Sequence, residues 1–401
     1  MAGHIRKRGD KWEYKLELDR DPVTGKRRAK WYTGFKTKKA AGDDLIEKLR
    51  QRQTGSFVEP NRLTVADYLR KWIEDYARPN VAGKTFERYK QIVEDELIPG
   101  LGAVPLHRLQ PLQIQNLYSE QLQRGRKKGT KNDAGEVVEA GLSAQTVLHH
   151  HRVLRKALAQ AVRWNLLVAN PADRVEPPRV VQKEIRPVDE TGAAWLIEVS
   201  QGTRLYMPIL LALYTGLRRG EILALRWQDT DLDSGYLTVC RALEYTKERG
   251  LVFKEPKSRR GRRRISLPQT LVAALTEHKA KQDGYRQKFG PGYHENDLVV
   301  CVEDGSIWKP PAFESAYRQL LKRRKLTGPT FHGLRHSHAS HMLRNGVDPK
   351  AISERLGHSK VSFTLDQYCH LLPGQQEETA SKIDAALKAA RAKIQPSNRP
   401  S

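Results

Sequence analysis

The sequence predicts a multidomain α+β chain: a small three-stranded β-sheet first, a helical domain next, and a mainly α third domain that carries a small antiparallel sheet. Three observations predict it. At 401 residues the chain exceeds what one typical core serves, so two or three domains are expected. Polar and aromatic residues alternate in short runs over residues 1–39, the period of strands. From Thr64 onward apolar residues recur at helical spacing, interrupted after about residue 185 by further strand-like runs.

The first domain, residues 1–57, contains "KWEYKLELD", the turn "DPVTGKRRAK" and "WYTGFKTK". Residues 1–39 hold 13 Lys or Arg against 5 Asp or Glu, interleaved with Trp12, Tyr14, Trp31, Tyr32 and Phe35. A basic ribbon of this kind can enter the major groove of DNA, with phosphate attraction supplying the affinity. Arg6, Lys7, Arg8, Arg27, Arg28 and Lys30 are its expected DNA contacts. The plainer alternative is a solubilising domain whose aromatics form their own miniature core. "KKAAGDDLIEKLRQRQ" then reads as a closing helix.

The second domain, residues 64–175, opens on capping-box spacing from Thr64 to Asp67, followed by an apolar stripe through Val65, Tyr68, Leu69, Trp72, Ile73 and Tyr76. "KTFERYKQIVEDEL", "LQPLQIQNLYSEQL" and "SAQTVLHHHRVLRKALAQAVRW" continue the helical pattern. The polar insertion "RGRKKGTKNDAGEVVEAG" is expected to be a mobile loop or hairpin. His149, His150 and His151 are consecutive, so on a helix they point in different directions and cannot converge on one metal ion. They are expected on the helix surface. Prolines at 171, 177, 178 and 187 then mark a linker.

The third domain is placed at 185–401. "LYMPILLALYTGLRRGEILALRW" should be largely buried helix with a break near Gly216. "GYLTVCRAL", "LVFKEPKS" and "RRRISLP" suggest one small antiparallel sheet, and helices return from about Gln269. Composition narrows the function: 71 Lys plus Arg against 46 Asp plus Glu leave a formal charge of +25, which points to a polyanionic partner. Cys240, Cys301 and Cys369 lie far apart without CxxC spacing, so neither a zinc site nor a disulfide framework is expected. The longest apolar run, "MPILLALY", is too short to span a bilayer, and a cytoplasmic, nucleoid-associated protein without metal or cofactor is expected.

Three separated clusters carry chemistry suited to phosphate: "TGLRRGE" with Arg218 and Glu221, "PKSRRGRRRISLP" with Lys257, and "FHGLRHSHASHMLRNGVDPKAISERLGHSKVSFTLDQYCHLLP" with His332, Arg335, His358 and Tyr368. His332 and Arg335 are three apart, so on a helix they share a face and can address one phosphodiester. A helix start near Ser362 would carry Tyr368 back towards the basic groups.

In this order, "TGLRRGEILALRW", "FHGLRH", "ERLGHS" and "TLDQYCHLLP" resemble the tyrosine recombinase family, and phage and conjugative-element integrases in particular. The resemblance implies an arm-site-binding sheet at the amino terminus, a helical core-binding domain and a catalytic domain. It implies that Tyr368 attacks the scissile phosphate to form a 3′-phosphotyrosyl link, that Arg218 and Arg335 hold the nonbridging oxygens, and that Lys257 protonates the leaving 5′-oxygen. His332 and His358 would bond the phosphate or manage the tyrosine proton. Glu221 would orient neighbouring donors, and His370 would support the site. Six basic residues fall between 257 and 264, and a one-residue slip would promote Arg259, a poor proton donor because its pKa is so high. Arg259 and Arg260 join the expected DNA contacts. Core and arm attachment sites in double-stranded DNA, a homotetramer on DNA, an excisionase and a host DNA-bending protein are the partners implied.

The other histidines, His336, His338 and His341, are expected to be structural. Two rival readings remain at this level. His332 and His336 have the i, i+4 spacing of zinc ligands, which a metal-dependent nuclease could use, although Arg335 then sits between the ligands. A DNA-binding regulator on the same scaffold would retain the domains without strand exchange. A type IB topoisomerase shares the nucleophile chemistry but not the arm-like sheet.

Overall fold

The computed structural model describes residues 4–18, 24–53, 63–124, 130–131, 137–138, 140–181, 187–256, 261–326, 328–358, 361–362 and 375–393. The chain divides into two compact units, Met1–Val181 and Gln182–Ser401.

In the first unit, strands His4–Arg8, Lys11–Leu18 and Arg28–Phe35 form an antiparallel meander in that order. Tyr14 and Leu16 are two apart and share one sheet face, which packs on Ala41 and Leu45 of the Lys38–Gln53 helix. Aromatic residues of the sheet contribute to that small core, with Tyr14 stacked on Tyr32 at 5.0 Å between ring centroids. A second core gathers Val65, Tyr68, Leu69, Trp72 and Ile73 with Val147, Leu154, Ala157 and Leu158 of the Ala144–Arg163 helix. Its first helix starts as the sequence predicts. Thr64 Oγ1 accepts from the Asp67 amide at 3.1 Å and Asp67 Oδ2 accepts from the Thr64 amide at 3.1 Å, which satisfies two amides that no earlier turn can bond. Within the insertion, Thr130–Lys131 pairs antiparallel with Val137–Val138, the hairpin alternative.

The histidine run corrects the surface expectation. His149 is exposed, but His150 and His151 are only 1% and 7% exposed. Their ring nitrogens are satisfied by the neighbouring helix Pro111–Arg124: His150 Nδ1 meets Gln121 Oε1 at 2.9 Å and His151 Nδ1 meets the Tyr118 hydroxyl at 3.2 Å. Buried polar pairs on facing helices explain the run without a metal.

In the second unit, the helix Tyr206–Thr215 is almost entirely buried and stops at Gly216, whose φ of 66° is left-handed. Glycine is required there twice over. The conformation disfavours a side chain, and a Cβ would lie 2.6 Å from both His338 Cδ2 and Leu356 Cδ2. The short helix Arg219–Ile222 follows. The expected single sheet is instead two. Arg263–Ser266, Tyr236–Val239 and Thr230–Asp231 form one, while Ala242–Thr246 and Gly250–Lys254 form a separate hairpin. The run "GYLTVCRAL" is therefore split at Cys240 and Arg241, its two halves pairing with different partners.

Helices Gln269–Phe289, Pro310–Arg323, Phe331–Arg344 and Pro349–Leu356 complete the core of this unit, and Gln375–Lys393 is helical as well. Phe331 closes edge-on against Phe313 at 4.7 Å. Ala339 and Leu343 meet Ile352 and Leu356, which fixes the Phe331–Arg344 helix against Pro349–Leu356. No helix among the described residues is long and apolar enough to cross a membrane.

Candidate active site

The site is assembled around one helix end. Pro349–Leu356 terminates at Gly357, left-handed at φ 68°, and the His358 amide bonds back to Ser353 O at 3.0 Å. The last carbonyls of any α-helix lack amide partners of their own and carry the negative end of its dipole. Here guanidinium groups from three different elements take them. Arg263 Nε donates to Arg355 O at 2.7 Å, Arg335 Nη2 to Leu356 O at 2.6 Å, and Arg218 Nη2 to Gly357 O at 3.4 Å. Arg335 also donates through Nη1 to Gly216 O at 2.6 Å, joining the ends of two helices. Arg218, Arg335 and His358, distant in sequence, are thereby brought together.

Their environments differ. Arg335 is 2% exposed, whereas the Arg218 side chain is 40% exposed and open to a ligand. His332, on the same helix as Arg335, is exposed, and its ring stands perpendicular to that of His336 at 5.1 Å. His358 is buried. Burial, and then the charges of Arg335, Arg218 and Arg263, hold its imidazole down to about 4, so near neutral pH it is an uncharged group beside a cationic cluster. An arriving phosphate would offset those charges.

Glu221 is the buried anion of the site. Its carboxylate accepts from the Arg218 amide at 2.9 Å and Arg218 Nη1 at 2.8 Å, and from Arg263 Nη1 at 3.2 Å and Nη2 at 2.9 Å. Burial alone would raise its pKa, but the Arg263 hydrogen bonds and the charges of Arg263 and Arg218 bring it down to about 2. Glu221 thus holds both the main chain and the side chain of Arg218.

Sequence reasoning missed Arg263 and Arg355. Arg263 alternates inward with Ile265 on its strand while Arg264 and Ser266 face out, so the period of two in "RRRISLP" was the available signal. Arg355 donates to Tyr214 O at 3.0 Å, to Ser266 O at 3.1 Å and to His338 Nε2 at 3.2 Å. Backbone carbonyls have no sequence signature. His338 Nδ1 in turn meets Leu213 O at 2.8 Å, and His341 Nε2 meets Val188 O at 2.8 Å, so both have structural partners. Lys257, Arg259, Arg260, Tyr368 and His370 lie outside the described residues. Among the described residues no group of three or more His, Cys, Asp or Glu is placed to hold a metal ion.

The sheet residues expected at DNA are placed as follows. Lys7, Arg27 and Arg28 are exposed, and Lys30 is half-buried with its Nζ 6.0 Å from the Tyr32 ring centroid. Arg6 lies 4.0 Å over the Trp31 ring and 2.7 Å from Glu13, and Arg8 approaches Glu13 at 3.9 Å. Glu13 is thus a buried acid under two arginines in the middle of a basic sheet.

Several buried imidazoles, His150 of the first unit among them, make stability depend on pH, and two belong to this site. His338 is held down to about 4 by burial and then by Arg355, and His358 to about 4 as above. Both lie below the ordinary 6.5, so the unfolded chain binds more protons than the native one between pH 6.5 and 4. Their contribution is complete above pH 6.5 and is lost as pH falls towards 4. The urea midpoint of the DNA-free protein is expected to fall between about pH 6.5 and 5, where most carboxylates remain ionised. His338→Gln should flatten that slope; equal slopes for the two proteins would place the titration elsewhere.

Comparison with known proteins gives three separate matches along the chain. Residues 190–375 match the family model "Phage integrase family", residues 64–122 match "Phage integrase, N-terminal SAM-like domain", and residues 4–49 match "Arm DNA-binding domain". The ICEBs1 integrase of Bacillus subtilis is 30% identical over 255 residues, covering 63% of this chain and 68% of that protein. A tyrosine recombinase XerC-like protein of Caldanaerobacter subterraneus is 26% identical over 370 residues, 87% of this chain and 90% of that one. Among solved structures, the Tn1549 transposon integrase in complex with transposon right end DNA superposes with a TM-score of 0.66 at 20% identity, covering 80% of this chain and all of that one; at that identity the likeness is one of fold.

Proposed function

The chain belongs to the phage integrase family of tyrosine recombinases, and from that premise we propose that it integrates, and excises, a mobile element or prophage by cleaving and rejoining DNA strands at attachment sites. The observation that carries the reading is the gathering of Arg218, Arg335 and His358 at the end of one helix, beside a buried acid and with Arg218 open.

In this reading Tyr368 is the nucleophile. Its oxygen bonds to phosphorus as the bond from phosphorus to the 5′-oxygen breaks, and the leaving oxygen takes a proton from Lys257 to become a 5′-hydroxyl. The phosphodiester is exchanged for a 3′-phosphotyrosyl ester and no water is consumed, so attack by the 5′-hydroxyl of another duplex rejoins DNA without ATP. The extra negative charge of the pentacoordinate transition state falls to Arg218, whose planar fork matches phosphate oxygens, and to the charge of Arg335 behind it. His332 and His358 bond the phosphate or accept the tyrosine proton.

Residues 1–57 act as the arm-site-binding domain, 64–175 as the core-binding domain and 185–401 as the catalytic domain. Two duplexes require four cleaving tyrosines, so the working species is a homotetramer on DNA, aided by an excisionase and a host DNA-bending protein in the bacterial cytoplasm. The reading is tested on a nicked duplex carrying the core site found in the DNA flanking the gene. With EDTA present, the protein should become covalently attached to the DNA 3′ end while a 5′-hydroxyl fragment leaves. Cleavage without attachment, or cleavage abolished by the chelator, would overturn it.

A further inference from the structure

We infer that Arg263 is a positioning residue for strand cleavage, which neutralises Glu221 and ties its strand to the helix end before His358, leaving the charge of Arg218 for the phosphate. This rests on the catalytic reading above.

The geometry uses the fork of a guanidinium fully. Arg263 places Nη1 and Nη2 on the two oxygens of Glu221 at 3.2 and 2.9 Å, Nε on Arg355 O at 2.7 Å, and Nη1 on Gly261 O at 3.3 Å. Its side chain is 6% exposed and that of Glu221 7%, so the pair is shielded from water on both sides. The strand Arg263–Ser266, the Arg218 turn and the end of Pro349–Leu356 are joined through this one side chain.

Charge gives the arrangement its consequence. Glu221 carries one negative charge and faces two arginines. With Arg263 in place, the triad has a net positive charge, and the exposed member, Arg218, carries it towards solvent. Without Arg263, Glu221 and Arg218 become a closed pair, so an incoming phosphate must compete with a buried carboxylate for the same guanidinium. The loss should fall on the transition state, where phosphate charge is greatest, more than on DNA binding, which many phosphate contacts share. Lysine is no substitute, since a single ammonium cannot reach both oxygens of Glu221 and the Arg355 carbonyl together.

The experiment uses the full chain and the nicked core-site duplex in single turnover. Arg263→Met is expected to slow adduct formation about 100-fold while affinity for the same duplex changes by less than about threefold. Adding Glu221→Gln to that variant removes the unneutralised carboxylate and should recover about tenfold of the rate, a non-additivity that a merely structural role would not produce. Circular dichroism at the assay temperature establishes folding, and if Arg263→Met does not fold, the neutral and polar Arg263→Gln replaces it with the same expected loss. A full rate in the folded variant, equal losses in rate and affinity, or a double variant no faster than the single one would each overturn the inference. Tyr368→Phe separates the two failures. Adduct formation by that variant sinks the catalytic reading itself, whereas an inert Tyr368→Phe beside a fully active Arg263→Met sinks only the role of Arg263.

Discussion

Tyr368→Phe is expected to bind core-site DNA with unchanged affinity and to form no covalent adduct on a nicked duplex. The substitution removes one oxygen, the atom that would bond to phosphorus, and leaves the gathered arginines and His358 as they are. Without that oxygen, a cleavage that conserves bond energy loses the covalent protein ester it needs. Gel separation of protein–DNA adduct under denaturing conditions measures the first half, and a mobility shift measures the second. Adduct at wild-type levels would move the nucleophile elsewhere in the chain.

The second large effect is expected at Arg335. This side chain joins Gly216 O and Leu356 O at 2.6 Å each, so it holds together the ends of the Tyr206–Thr215 and Pro349–Leu356 helices as well as contributing charge. Arg335→Lys retains the charge but cannot span both carbonyls in the same plane. It should slow single-turnover cleavage about 100- to 1,000-fold, the loss typical of one preorganised donor at a developing oxyanion, or about 3–4 kcal/mol of barrier. The loss of one charge-assisted hydrogen bond to a buried carbonyl should also lower unfolding free energy by about 2 kcal/mol. Urea unfolding and cleavage at a temperature where both proteins are folded would separate the two effects. A cleavage rate within tenfold of wild type would show that the guanidinium fork is not what the reaction uses.

Much of the fold is legible in sequence because its signals are local. The capping pair Thr64 and Asp67, the break at Gly216, the helix start at Gln269 and the strand alternation around Tyr14 and Leu16 each depend on neighbours a few residues away. Errors arose where one segment had two possible partners. "GYLTVCRAL" has uniform strand character, yet its first half pairs with Arg263–Ser266 and its second with Gly250–Lys254. Likewise, a histidine on a helix reads the same whether its face meets water or Tyr118 and Gln121, and only packing put His150 and His151 inside.

By itself, then, the sequence determined the order of domains, the basic character of the amino-terminal sheet and the residue types proposed to meet a phosphodiester. Tertiary structure alone decided how Arg218, Arg263 and Arg335 are held. Each is aimed by a main-chain oxygen 139, 92 and 21 residues away, and Arg335 by another 119 residues away. Every residue carries such a carbonyl, so no side-chain pattern distinguishes those that accept an arginine. What distinguishes Arg355, Leu356 and Gly357 is their place at the end of a helix, where carbonyls lie beyond the reach of the amide ladder and the peptide dipoles add. That property belongs to the folded chain, and it turns three scattered arginines into one cluster.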